Sequence, residues 1–143
     1  MAKMKAILVA VDGSAYSDRA TQHAIDLITA GCAAELHLIN VQHGVSGAVS
    51  AFVSRDQIDA HHREEGEKAV ASAVAIAKKA SLTAKTHIGV GRQGEIVADF
   101  AKKLDAGLVV IGTRGHTGLA GVLLGSVAQD VIAHSKVPVT LVK

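Results

Sequence analysis

Short, wholly apolar runs alternate along this chain with longer stretches whose apolar residues recur every three or four positions. AILVAV (6–11) is continuous, rich in valine and isoleucine and bounded by Asp-Gly-Ser, as expected of a strand buried on both faces. Ala20, Ala24, Leu27 and Ile28 then fall on one helical stripe, with Gly31 as the stop. LHLINV (36–41) is the second strand, and HGVSGAVSAFVS (43–54), lacking a clear period, reads as a mobile connection. A long helix is predicted from about 55 to 80, with Ile58, Ala69, Ala73, Ile76, Ala77 and Ala80 along its stripe. AKTHIGV (84–90) alternates as a third strand, and Ile96, Val97, Phe100, Ala101 and Leu104 mark a third helix. GLVVIG (107–112), VAQDVIAH (127–134) and VPVTLVK (137–143) complete the pattern as strand, helix and strand.

Strands and helices alternating with short links specify an α/β fold: one open, five-stranded parallel sheet with helices on both faces. Uniformly apolar strands belong at the centre, which places the first, second and fourth there. The third is an edge by its alternation, and the fifth because Pro138 cannot donate to an interior ladder. The order 3-2-1-4-5 satisfies both constraints and puts the topological switch point between strands one and four. Ligands of such sheets bind outside the carboxyl ends of the strands at that reversal.

Composition narrows the partners. The 143 residues (1–143) fit a single domain. Phe52, Phe100 and Tyr16 are the only aromatics, too few for the stacking platforms of a single-stranded nucleic-acid binder. A net charge of +2 is too small to indicate a polyanion, so no nucleic-acid partner is expected. The apolar run before Asp12 is too short for a membrane span or a secretory signal, and Cys32, the lone cysteine, suits a reducing compartment. No membrane association is expected, and the cytoplasm is the expected location.

Two segments meet at the predicted switch point. Strand one ends in Val11-Asp12-Gly13-Ser14, and strand four runs into GTRGHTGLAGVLLGS (112–126). Two roles are open to Asp12: capping the next helix, as Ser14 or Ser17 also could, or meeting a ribose hydroxyl or a phosphate-bound metal ion. Gly125-Ser126 opens the last helix, whose unpaired amides and positive dipole end would face the crevice. Ser126 either caps that helix or donates to a phosphate oxygen. Gly112 and Gly115 let the backbone turn back over a ligand, while Arg114 and His116 are the loop's cations. The lysine of a P-loop is absent, and no G-x-G-x-x-G follows strand one. GRQG (91–94) reads as a turn. His61-His62 reads as part of a solvated helical face, because adjacent histidines diverge by about 100° on a helix.

In ILVAVDGS, LHLINV, GLVVIGTRG and SKVPVTLVK the sequence resembles the universal stress protein family along essentially its whole length. Gly112, Gly115, nine residues, Gly125 and Ser126 further match the G-x2-G-x9-G-[ST] pattern of its nucleotide-binding subclass. The resemblance implies the 3-2-1-4-5 sheet and an ATP or AMP site in the crevice, with Mg2+ or Mn2+ as an accompaniment of ATP. Carried over, Asp12 lies near adenosine and ribose, and the backbone of Val41 meets the adenine. Gly112, Gly115, Gly125 and Ser126 contact phosphates, with Ile111 and Val127 beside them; Val11 and Arg114 complete the candidate contacts. Residues 137–143, as an exposed edge strand, would pair with a second copy in a homodimer.

The expected function is therefore that of an adenine-nucleotide-binding stress-response protein. A slow ATPase and a nucleotide-independent dimeric interaction module are the competing readings. With no loop lysine and only Asp12 as an acid at the mouth, hydrolysis is expected to be slow or absent.

Overall fold

The innermost strand, β1 (Ala6–Ala10), is buried at every residue and carries the rest of the architecture. The structure is a computed structural model that describes residues 4–32, 34–116, 121 and 123–143. After β1 come α1 (Ala15–Thr29), β2 (Glu35–Gln42), a single turn α2 (Gly47–Ser50) and the long α3 (Arg55–Lys79). Then follow β3 (Ala84–Val90), α4 (Gln93–Lys103), β4 (Ala106–Gly112), α5 (Ser126–His134) and β5 (Val139–Val142). The five strands are parallel and lie in the order β3-β2-β1-β4-β5, as the apolar patterning predicts.

Alternate residues of the central strands feed two separate cores. Leu8, Ala10, Ile39, Val109 and Ile111 pack beneath α4 and α5 against Val97, Ala101, Ala128 and Val131. Ile7, Val9, Leu38 and Val110 face the other way, against Ala20, Ala24 and Ile25 of α1 and Val70, Ala73 and Ala77 of α3. Burial of each such aliphatic side chain is worth about 1.5–3 kcal/mol, so a strand apolar on both sides is held from both sides. Helices α1 and α3 close in the same way. Gly31 (φ 115°) and Ser81 (φ 59°) take left-handed conformations. The next amides reach back, Cys32 N to Leu27 O at 3.0 Å and Leu82 N to Ala77 O at 3.0 Å.

Two local expectations are revised. The connection 43–54 contains α2, capped by Ser46, whose hydroxyl accepts from Val49 N. The buried stripe of α3 runs through His62, Gly66, Val70, Ala73 and Ala77. His61 is exposed, but His62 is buried and its Nε2 donates to the His43 carbonyl at 3.1 Å. The third strand, β3, is the sheet edge that its alternation predicts, and it is touched from both helical layers. A Cβ on Gly66 of α3 would lie 2.7 Å from Ile88, and one on Gly89 would collide with Ile96 of α4.

On the α4 side of β2 and β3, His37 and His87 lie edge to edge, 5.1 Å between ring centres and 9° from parallel. His37 Nδ1 and His87 Nε2 share one hydrogen bond of 2.9 Å. His37 is buried, and Phe100 of α4 lies 5.4 Å from the His87 ring.

Candidate functional site

At the carboxyl end of β1, the chain is shaped by its own polar side chains. Val11 N still pairs with Ile39 O, after which Asp12-Gly13 turns into α1, with Gly13 at φ 83°. Ser14 is the N-cap, its hydroxyl accepting from Ser17 N. Asp12 braces the turn instead: Oδ1 accepts from Ser14 N at 2.9 Å, and its own amide donates to Ser17 Oγ at 3.3 Å. The other carboxylate oxygen faces Gly115, where an added Cβ would sit 2.5 Å from it. His116 Nε2 donates to the Asp12 carbonyl at 2.6 Å, which ties the long loop across to β1.

Facing this turn is the exit of β4. Gly112 has no room for a side chain because Tyr16 of α1 lies against it, 2.8 Å from the position of a Cβ. Gly125 N donates to Thr113 O at 2.7 Å, bringing the start of α5 back to the strand it left. Gly125 is the N-cap of α5 and offers no capping side chain, so Ser126 occupies the first helical position and does not cap. The amides of Ser126, Val127 and Ala128 precede the first intrahelical donor, Gln129 N to Gly125 O. All three residues line the space in front of the helix, where the dipole favours an anion.

That space is a cavity of about 220 Å³ between the ends of β1, β2 and β4 and the starts of α4 and α5. The structure brings Val11, Asp12, Ile111, Gly112, Arg114, Gly115, Gly125, Ser126 and Val127 together around it. Val41 is buried beside it but does not line it, and its carbonyl accepts from Gln93 Nε2 at 2.7 Å. Gly118 lies outside the described residues, and Gly121, at φ 85°, has nothing near it. Asn40, His43, Gln93, Ser17, Thr113 and His116 also line the wall. Asn40 carried a signal in the sequence, an amide near the end of the largely apolar run LHLINV. Gln93 carried none, since GRQG reads as any turn does.

A shallower groove continues outward past His43, Gln93, Ser126 and Val127 to Arg92 and Asp130. Asp130 Oδ2 accepts from Gly94 N at 2.7 Å at the start of α4, and Arg92 lies 3.1 Å from Oδ1. The Gly94 amide above all, with Arg92 beside it, holds the Asp130 carboxyl below its ordinary pKa. The two helix starts that flank the cavity are thus joined.

The fold and crevice together define a doubly wound α/β domain with a cavity at its topological switch point. Residues 3–143 match the model of the universal stress protein family, and the chain belongs to that family. It is 36% identical over 145 residues to universal stress protein MJ0531 of Methanocaldococcus jannaschii, covering 97% of this chain and 82% of that one. The fold is similar to that of hypothetical protein MJ0577, with a TM-score of 0.81, 27% identity and coverage of 99% and 97%. It is also similar to a universal stress protein crystallised in complex with cAMP, with a TM-score of 0.73, 27% identity and 99% coverage of both chains.

Proposed function

We propose that the crevice binds an adenine nucleotide, ATP or AMP, and that this protein acts in the stress response by holding the nucleotide. The observation that carries the reading is the uncapped start of α5, whose first-turn amides line a cavity walled by Gly112, Gly115 and Gly125. Arg114 lines the same end, and the relative crystallised with cAMP supports a nucleotide of this kind. Ser126, freed from capping, is placed to donate its hydroxyl to a phosphate oxygen. Asp12 is the one carboxylate among the described residues lining the cavity. It is the residue that would meet a Mg2+ or Mn2+ ion arriving with ATP, an ion that neutralises phosphate charge.

Retention is favoured over turnover because rapid phosphoryl transfer needs several positioned cations and an oriented nucleophile. The reading includes a cytoplasmic homodimer paired through residues 137–143.

Protein purified natively and then denatured should release ATP or AMP, identified by mass. Refolded or nucleotide-stripped protein should bind it again in titration. Gly125→Val should weaken that binding at least about tenfold, by putting a branched side chain beside the amides meant for phosphate. Its Cβ would also lie 3.3 Å from Thr113 O, so melting of the variant is measured alongside. Absence of both released nucleotide and binding would remove this reading.

A further inference from the structure

The two ends of the cavity differ in chemistry. The β4–α5 end presents amides and Arg114, whereas the β2–α4 end presents Ile39, Asn40, His43 and Gln93. Strands β2 and β4 flank β1, so the ends stand two strand spacings apart, about 10 Å. If phosphate occupies the first end, as the proposed function holds, the base occupies the second.

Two side-chain amides stand at that base end, and among the described residues only one has an oxygen without a partner. Asn40 is used at both atoms: Nδ2 donates to Val11 O at 2.8 Å, and Oδ1 accepts from Gln42 Nε2. Gln93 is used at one. Its Nε2 donates to Val41 O at 2.7 Å, and among the described residues no donor reaches its Oε1. A carbonyl partner accepts only an N–H, so Val41 fixes which end of the Gln93 amide is which. Turning the amide over would set Oε1 against the Val41 carbonyl and lose the bond. Gln93 lines the cavity with its amide nitrogen committed to Val41 and its Oε1 left to accept.

We infer that Gln93, oriented by the Val41 carbonyl, makes the site selective for a purine bearing a 6-amino group over one bearing a 6-oxo group. An exocyclic amine donates to the Oε1 acceptor. A 6-oxo base puts carbonyl oxygen against carbonyl oxygen and leaves both unpaired away from water. The inference rests on the proposed nucleotide site and adds its base specificity.

The test is titration of nucleotide-free protein with AMP, IMP and GMP, for the wild type and for Gln93→Leu. The wild type should prefer AMP over IMP by about tenfold or more, the effect of one lost buried hydrogen bond. Gln93→Leu should bring the two within about threefold, chiefly by weakening AMP, with its melting temperature confirming a folded protein. Should the leucine variant not fold, Gln93→Met replaces it. This variant keeps the length but carries no amide to accept from the exocyclic amine, and should likewise weaken AMP. A wild type that binds AMP and IMP alike, or variants that keep the full preference, would overturn the base-specificity inference alone. A wild type that binds none of the three would remove the nucleotide site itself.

Discussion

Single residues in this protein often serve the fold and the crevice together. Asp12 braces the turn before α1 while its second oxygen keeps position 115 a glycine. The His37–His87 pair has no such double use, and its consequence is pH dependence. Burial above all, with the charges of His37 and Lys85 adding to it, holds the His87 pKa below the ordinary histidine value of 6.5. Glu35 and Lys85 flank the pair from β2 and β3, and Lys103 lies over the Phe100 ring that caps it. Because the folded protein takes up its proton at lower pH than the unfolded chain, the stability is fully present above about pH 6.5. It declines as the pH falls below that value. The lowered pKa values of Glu35 and Asp130 act further down, below their ordinary values of 4.5 and 3.8. Thermal melting at pH 7.5 and 5.5 should therefore show a drop that His87→Leu largely removes. An equal drop in the variant would place its origin elsewhere.

Whole elements were the most legible part of the sequence. Continuous apolar runs give central strands and mixed runs give edges, because a strand between two helical layers takes a polar residue only where it finds a hydrogen-bond partner, as His37 and Asn40 of β2 do. What escaped was set by approach between elements. His62 looked solvated beside His61, yet Gly66 and Val70 one and two turns on carry its stripe into the core. At the site, glycine spacing located the loop, but part of its meaning lies in packing: Gly112 is required by Tyr16. Gln93 was silent because its role depends on the Val41 carbonyl, 52 residues away. Helix ends offer a direct check on local reasoning. Ser81 holds the left-handed position that Gly31 holds after α1. Ser81→Gly should raise stability by about 0.5–1 kcal/mol in urea denaturation, the relief exceeding glycine's entropy cost. A loss of stability would show that Ser81 contributes something beyond its backbone.

At the scale of the molecule, β5 leaves an open edge. Pro138 O and Val142 O accept from Val109 N and Thr113 N, so the intervening Leu141 turns its N–H outward. No helix among the described residues is long and apolar enough to cross a membrane, and the edge is suited to a second copy. For the proposed homodimer, Leu141→Pro removes an outward donor and spares the ladder to β4. Sedimentation should then shift from dimer to monomer; a monomeric wild type would end that proposal. The His116–Asp12 tie has a last consequence, in time. It joins positions 104 residues apart, and the cavity it closes also needs the start of α5. A chain emerging from a ribosome therefore cannot form this cavity until β1, the long loop and the start of α5 have all been made. For the proposed nucleotide, occupancy would then mark a folded domain, and a ligand at a hundred times its Kd would protect that fold by about 2.7 kcal/mol.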